Sequence, residues 1–245
     1  MDETGRLLEL VFSAVAVVLL PSVALVGLWL LVRWRQRERA RQQELARLGY
    51  GRLTALPAGL QERVAAVLGR LGDYRTLRLG DVYHRRLDEG DLYLFRLTDK
   101  EEGAHLGRSE MLAVVAPGLD LPRFRLWPRF EGVAGGLAAA EEKLAQEGRA
   151  GGFREVAFVG PPGFGERYLV FATDVGEMRD FLTAERRAGL VGLAERYRIT
   201  GVGDTFLMVP EVSPRALAAG ERVVVDEGAR LGDVERVVGG FLGGG

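Results

Sequence analysis

Between Leu10 and Val32 the chain reads LVFSAVAVVLLPSVALVGLWLLV, 23 residues without a charge. As a helix this stretch rises roughly 34 Å at about 1.5 Å per residue, enough to cross a hydrocarbon core of ~30 Å with some tilt. The reading that organises everything else is therefore a transmembrane helix at the N-terminus. Pro21 is the one breaker inside it; a lipid-embedded helix tolerates a proline and kinks there. Trp29 and Trp34 stand near its C-terminal end, where indole rings favour the headgroup region, and mark the expected membrane interface. A cleaved signal peptide fits less well. The apolar run is too long, the residues before it are acidic (Asp2, Glu3 and Glu9 against Arg6), and no small-residue cleavage site precedes the charges that follow.

Those charges read RWRQRERARQQELAR over 33–47. Arginine-rich flanks of short loops stay on the cytoplasmic side, so the expected topology is single-pass in the inner membrane, N-terminus outside, with the bulk of the chain in the cytosol. Arg33, Arg35, Arg37, Arg39 and Arg41 are also candidate contacts for anionic lipid headgroups, worth about 1 kcal/mol each near the surface. The plainer reading, a stop-transfer flank that carries the helix on into solvent, is preferred. On these grounds the chain divides into residues 1–48, anchor and extension, and 49–245, a cytoplasmic domain.

The composition suits a folded domain behind an apolar segment. Of 245 residues 47% are hydrophobic and 27% charged, and the formal charge of -1 gives no nucleic-acid footprint. The mean hydropathy of +0.03 is high for a wholly water-exposed protein. With no cysteine, the sequence excludes disulfides, iron–sulfur clusters, thiolate zinc sites and cysteine nucleophiles.

Past Gly49 and Gly51, Pro57 opens a helix whose apolar residues Leu60, Val64, Val67, Leu68 and Leu71 form one buried face. Short strands are expected at Leu77–Tyr83, Leu92–Leu97 and Met111–Ala116, an antiparallel meander with polar turns. An Ala/Glu-rich helix is expected at Ala138–Gln146, and strands at Glu155–Val159 and Arg167–Ala172. Asp174 is read as the N-cap of a helix through Met178 and Phe181. A further helix is expected over Leu190–Tyr197, then a hairpin, Ile199–Val202 and Phe206–Val209, around Gly203-Asp204. The last helix spans Leu231–Leu242, with Val234, Val237, Val238 and Phe241 on one face. No repeat of 20 to 50 residues is visible.

Chemistry is harder to find. Gly160-Pro-Pro-Gly-Phe-Gly165 has the glycine spacing of a phosphate-binding loop, but Glu166 and Arg167 stand where a lysine and a hydroxyl are needed, so a turn between strands is the reading. His84 and His105 have no carboxylate at a metal-ligand spacing. The four serines, Ser13, Ser22, Ser109 and Ser213, lack a nucleophile elbow. Asp81, Asp88, Asp91 and Asp99 sit beside glycines or in polar turns, where carboxylates are solvated or cap amides. Phe124, Trp127 and Phe130, interleaved with Arg123, Arg125 and Arg129, read as a half-buried edge strand with the arginines on one face. No catalytic, cofactor-binding or metal-ligating residue is assigned.

The segments Leu121-Pro-x-Phe124-x-Leu126-x-Pro128, Phe164-x-x-Arg167-Tyr168-x-Val170-x-Ala172-x-Asp174 and Arg179-x-Phe181-Leu182-Thr183 resemble those of a family of uncharacterised bacterial single-span membrane proteins. The resemblance covers residues 75–210. Arg129 departs from it where the family tends to have Glu, and Val156-Ala157 where an acidic pair precedes the Phe. It implies an N-terminal span before a β-rich cytoplasmic domain, and no reaction. The expected fold class is therefore α+β: a transmembrane helix, then a mixed, mainly antiparallel sheet with several helices. The expected role is a membrane-anchored, non-enzymatic protein-binding or accessory subunit of a membrane assembly, with the lipid bilayer and a protein as partners, no nucleic acid and no cofactor. The alternatives are a membrane-tethered enzyme with a scattered site and an anionic-lipid-binding module.

Overall fold

In the computed structural model the described residues are 3–69, 77–99, 110–129, 146, 148–210 and 227–242, with α1 side chains from Leu25 onward. The chain divides into two compact units, Met1–Gly49 and Tyr50–Gly245. The first is one helix, α1 (Glu3–Arg47), which Pro21 does not end. Among the described residues no helix is long and apolar enough to cross a membrane, and this overturns the transmembrane helix expected at Leu10–Val32. Along its length α1 is not uniformly apolar: from Arg33 onward the same helix carries six arginines and two glutamates.

The second unit is built on a nine-stranded sheet, antiparallel at every pairing, in the order β1-β2-β3-β4-β9-β8-β5-β7-β6. In chain order the strands are β1 (Gly51–Arg52), β2 (Leu77–Arg86), β3 (Asp91–Asp99), β4 (Glu110–Val115), β5 (Leu121–Pro128), β6 (Arg154–Glu155), β7 (Tyr168–Ala172), β8 (Tyr197–Gly203) and β9 (Thr205–Pro210). Among the described residues the helices of this unit include α2 (Leu60–Leu68), α3 (Phe164–Arg167), α4 (Val175–Phe181), α5 (Ala184–Val191) and α6 (Glu227–Leu242). Hairpins β2–β3 and β3–β4 make the expected meander. In the hairpin β8–β9, Val202 pairs with Thr205 across Gly203-Asp204, and Gly203 takes the φ of +58° that the first residue of a type II′ turn requires. The sheet ends on two-residue strands, β1 and β6, which leaves little edge for another chain to extend.

Period-2 alternation gives each strand two apolar faces. On one, α2 lays Leu60, Val64 and Val67 over Tyr93, Phe95, Met111 and Leu207, and farther along a second cluster joins Trp127, Phe153, Leu169 and Phe171. On the other, Phe181 of α4 and Phe241 of α6 meet Phe124 with ring centroids 5.9 and 6.2 Å apart, and Phe241 lies 5.4 Å from Phe206. Phe124, Gly201 and Phe206 stand in one row across three strands. A Cβ on Gly201 would come within 2.6 Å of the Phe124 ring, so the missing side chain is what lets that ring lie down on the sheet.

Three expectations are corrected here. β5 is not an edge strand but lies between β8 and β7, buried on both sides at Phe124, Leu126 and Trp127. The helix expected at Leu190–Tyr197 is α5, six residues earlier at both ends: it runs Ala184–Val191, because Thr183 caps it with an oxygen 3.3 Å from the Arg186 amide and Gly192 ends it. The strand expected over Glu155–Val159 shortens to β6, since the chain leaves the sheet after Val156. The Ala138–Gln146 helix, but for its final residue, lies outside the described residues.

Candidate functional site

The most unusual surface of the second unit lies where β6 peels away from β7. Arg154 and Glu155 pair with Ala172 and Phe171, and Val156 donates its amide to the Val170 carbonyl at 2.8 Å. The chain then swings out through Ala-Phe-Val-Gly-Pro-Pro-Gly, residues 157–163, turns through one short helix, α3, and re-enters the sheet as β7. Gly160 and Gly163 take φ of +59° and +86°, a left-handed region that L side chains rarely adopt, which places glycine at both bends. The loop and β7 border a groove of about 140 Å³ whose lining includes Val156, Phe158, Phe164 and Tyr168 together with Arg129 and Glu155.

The loop is held from below by one side chain. Arg187 of α5, 8% exposed, donates through Nε to the Gly160 carbonyl at 2.7 Å and through Nη2 to Val159 at 3.2 Å. Its Nη1 donates to the Leu182 carbonyl at 2.6 Å, and its guanidinium lies 4.8 Å from the centre of the Phe158 ring. Phe158 in turn packs edge-on against Phe164, with centroids 5.9 Å apart. Burial lowers the Arg187 pKa, but a guanidinium starts so high that it stays charged. Against this fixed backbone the Val159 side chain is 98% exposed, and Pro162 is exposed beside it. The loop tip is thus both apolar and tied down.

The phosphate-loop likeness of 160–165 has no chemistry behind it in three dimensions. Arg167 spends its guanidinium on the carbonyls of Val191, Leu193 and Glu195, at 2.8, 2.8 and 3.1 Å, and Glu166 is exposed. Tyr168 is 2% exposed and its pKa is raised, first by burial, which keeps its hydroxyl protonated.

A second group of charges is structural. Asp233 of α6, 1% exposed, accepts from the amides of Ala194 at 2.9 Å and Glu195 at 3.0 Å. One turn earlier, Arg230 reaches Glu195 and Glu110, both at 3.4 Å. Tyr197 is fully buried beside them, and burial, then the charges of Glu195 and Asp233, push its pKa far up.

Of the residues singled out from sequence, His84 finds a partner: its Nε2 lies 2.8 Å from Asp91 Oδ1, while Arg86 shares the same carboxylate at 3.3 Å. Asp81 sits in a bulge of β2 with φ +48° and accepts from Arg52 at 2.9 Å. Asp88 lines a separate groove of about 400 Å³ in which Arg85 and Glu235 are paired at 3.0 Å. These carboxylates do not converge, and among the described residues no three His, Cys, Asp or Glu side chains are grouped to hold a metal. His105, Ser109, Ser213, Phe130 and the side chains of Asp99, Ser13 and Ser22 lie outside the described residues. Of the arginines interleaved in β5, Arg123 and Arg125 lie 5.5 and 4.0 Å from the Phe153 ring, and Arg198 of the neighbouring strand β8 lies 4.8 Å from Trp127.

In the first unit, Arg33, Arg35, Arg37 and Arg39 are exposed and Arg41 is half-buried. Trp29 and Trp34 are 56% and 60% exposed, and the Arg33 guanidinium stands 4.9 Å over the Trp29 ring. Sequence reasoning missed Arg187 and Val159. Thr183 followed by an acidic first turn was the available signal for α5, and it would have put Arg187 on the same face as Leu190; nothing in the run Val156–Val159 distinguishes a strand from a strand that leaves its sheet.

No family model matches the sequence, and no curated protein matches it. Among solved structures the chain is similar to one described as the crystal structure of the mycobacterial trehalose monomycolate transport factor A, TtfA, with 12% identity, a TM-score of 0.40, and 74% of this chain and 93% of that one covered.

Proposed function

We propose that the Tyr50–Gly245 unit is a non-enzymatic protein-binding module, and that the chain serves as an accessory subunit of a larger assembly at the cytoplasmic face of the inner membrane. The observation that carries this is the loop at 157–163. A valine left 98% exposed on a backbone that Arg187 clamps at two carbonyls is an apolar contact prepared in advance. A clamped contact loses little conformational freedom on binding, which is how small apolar surfaces gain affinity. Half-buried Phe158 continues the same surface toward the groove, which buried Val156 and Phe164 back from within and Arg129 and Glu155 also line.

The test is Val159→Asp and Pro162→Asp in the chain isolated with its native assembly. Both positions are exposed, so the unfolding free energy should stay within the ordinary scatter of surface substitutions, about 0.5 kcal/mol. A partner held through the loop should be released, with affinity at least tenfold lower. Undiminished retention of a stoichiometric partner by both variants would refute the assignment, as would a wild-type chain that is strictly monomeric in its native extract.

A further inference from the structure

Resting on the loop at 157–163 as the contact surface, we infer that the last turn of α6 is a latch for it: docked, the turn keeps the loop tip rigid, and unwound, it lets the tip go. The connection runs through two adjacent arginines of α5. Arg187 holds the Gly160 and Val159 carbonyls. Arg186 reaches the other way: its Nε donates to the Gly240 carbonyl at 2.9 Å and its Nη2 to that of Phe241 at 2.8 Å, in the turn that ends α6. Both side chains also hold the end of α4, Arg186 through the Phe181 carbonyl and Arg187 through that of Leu182, each at 2.6 Å. One turn of α5 thus has α6 on one side and the loop on the other.

The last carbonyls of a helix have no partner within it, so a guanidinium that collects them follows whatever the helix end does. Neighbouring residues of one helical turn do not reorient separately, and displacing Arg186 therefore moves the backbone from which Arg187 leaves. The far end of α5 is tied to α6 as well, Arg236 donating to the Gly192 carbonyl at 2.6 Å, which gives α5 a pivot once its near end is freed. What makes the contact a latch and not a weld is Gly239-Gly240. Glycine is the poorest helix former after proline. Nothing in the fold requires this pair: neither takes a positive φ, and a Cβ at either would meet nothing within 4 Å. The turn is held by tertiary contacts against its own propensity, by Arg186 and by Phe241, whose ring centroid lies 5.2 Å from that of Phe181 and 5.4 Å from that of Phe206. It is the turn of α6 that local opening releases most readily.

The experiment uses the full chain, which has no cysteine, so that Val159→Cys offers a single site for a nitroxide at the exposed tip. Electron paramagnetic resonance follows the label on slow warming, below the temperature at which circular dichroism falls. The same label at Arg78→Cys, exposed on β2 across the sheet, reports overall loosening. Arg187→Gln should mobilise the tip from the start, and this arm tests the clamped loop itself. Arg186→Lys keeps the charge, but one ammonium lacks the planar fork that spans three carbonyls. It should lower the temperature at which the tip loosens, relative to the Arg78 label, by several degrees. Gly239→Ala with Gly240→Ala should raise it. If Arg187→Gln mobilises the tip while either of the other two shifts is missing, the latch is refuted and the clamped loop stands. If Arg187→Gln leaves the tip immobile, the clamped loop fails and the latch with it. Equal shifts at both labels would reduce the effect to overall stability and overturn the latch too.

Discussion

Asp174 shows how a single residue was readable in advance. An acid before an apolar helical run, in a chain just leaving a strand, satisfies the amides of the first turn whatever the rest of the fold does. Its Oδ1 accepts from Gly176 at 2.8 Å and Glu177 at 3.0 Å. The Glu177 amide, then that of Gly176, holds its carboxyl below the ordinary range. A depressed folded-state pKa means that the cap contributes fully above the unfolded value of about 3.9 and is lost as pH falls through the folded one. Urea denaturation of wild type and Asp174→Asn should therefore differ most near pH 6, wild type being the more stable, with the gap closing as pH drops below 4. A gap that widens on acidification would mean that the carboxylate is not what caps α4. Gly201 and Arg187 were not readable in this way. The need for a bare Cα under the Phe124 ring arises from a strand pairing 77 residues apart in sequence, and Arg187 acts on carbonyls 27 and 28 residues upstream.

Elements were legible where a local signal fixed both type and end. The hairpin at Gly203-Asp204 and the amphipathic faces of α2 and α6 follow from turn chemistry and helical period alone. β5 was misjudged because alternation of Phe124 and Leu126 with arginines looks like one wet face; the guanidiniums of Arg123 and Arg125 instead lie over Phe153, so a charged alternation marked a covered face. α6 is a helix formed against its own propensity. It carries glycines at 228, 232, 239 and 240, and its stability comes from Leu231, Val234, Val237, Val238 and Phe241 packing on the sheet. A Cβ added at Gly232 or Gly239 would meet nothing within 4 Å. Gly232→Ala and Gly239→Ala should each stabilise the fold by about 0.5 to 1 kcal/mol, read as a rise in urea midpoint at unchanged slope. Destabilisation by either would show that α6 depends on backbone freedom rather than on its apolar face.

At the scale of the molecule, α1 and the sheet unit differ in what sequence could say of them. The nine-strand order, with β5 inserted between β8 and β7, depends on pairings that no local pattern records. The same holds for the charges that tie distant elements together. Asp233 fastens α6 to the chain entering β8 through the amides of Ala194 and Glu195, while Arg230, one turn away, reaches Glu195 and Glu110 of β4. Three parts of the unit thus share one set of charges, with Asp233 and Arg230 buried and Glu110 and Glu195 half-buried. Such a set stabilises little in net terms when complete, since desolvation offsets much of the attraction, but its loss in part is expensive. Asp233→Ala leaves two amides without their acceptor and Arg230 among fewer compensating charges, and should cost about 3 kcal/mol. Asp233→Asn keeps an acceptor for one amide and should cost less. If α6 is fastened in this way, hydrogen exchange in Asp233→Ala should quicken in α6 and at residues 193–196 before it quickens in β3 and β4. Uniform acceleration across the sheet would instead mean that the charges hold the whole unit together rather than one helix against it.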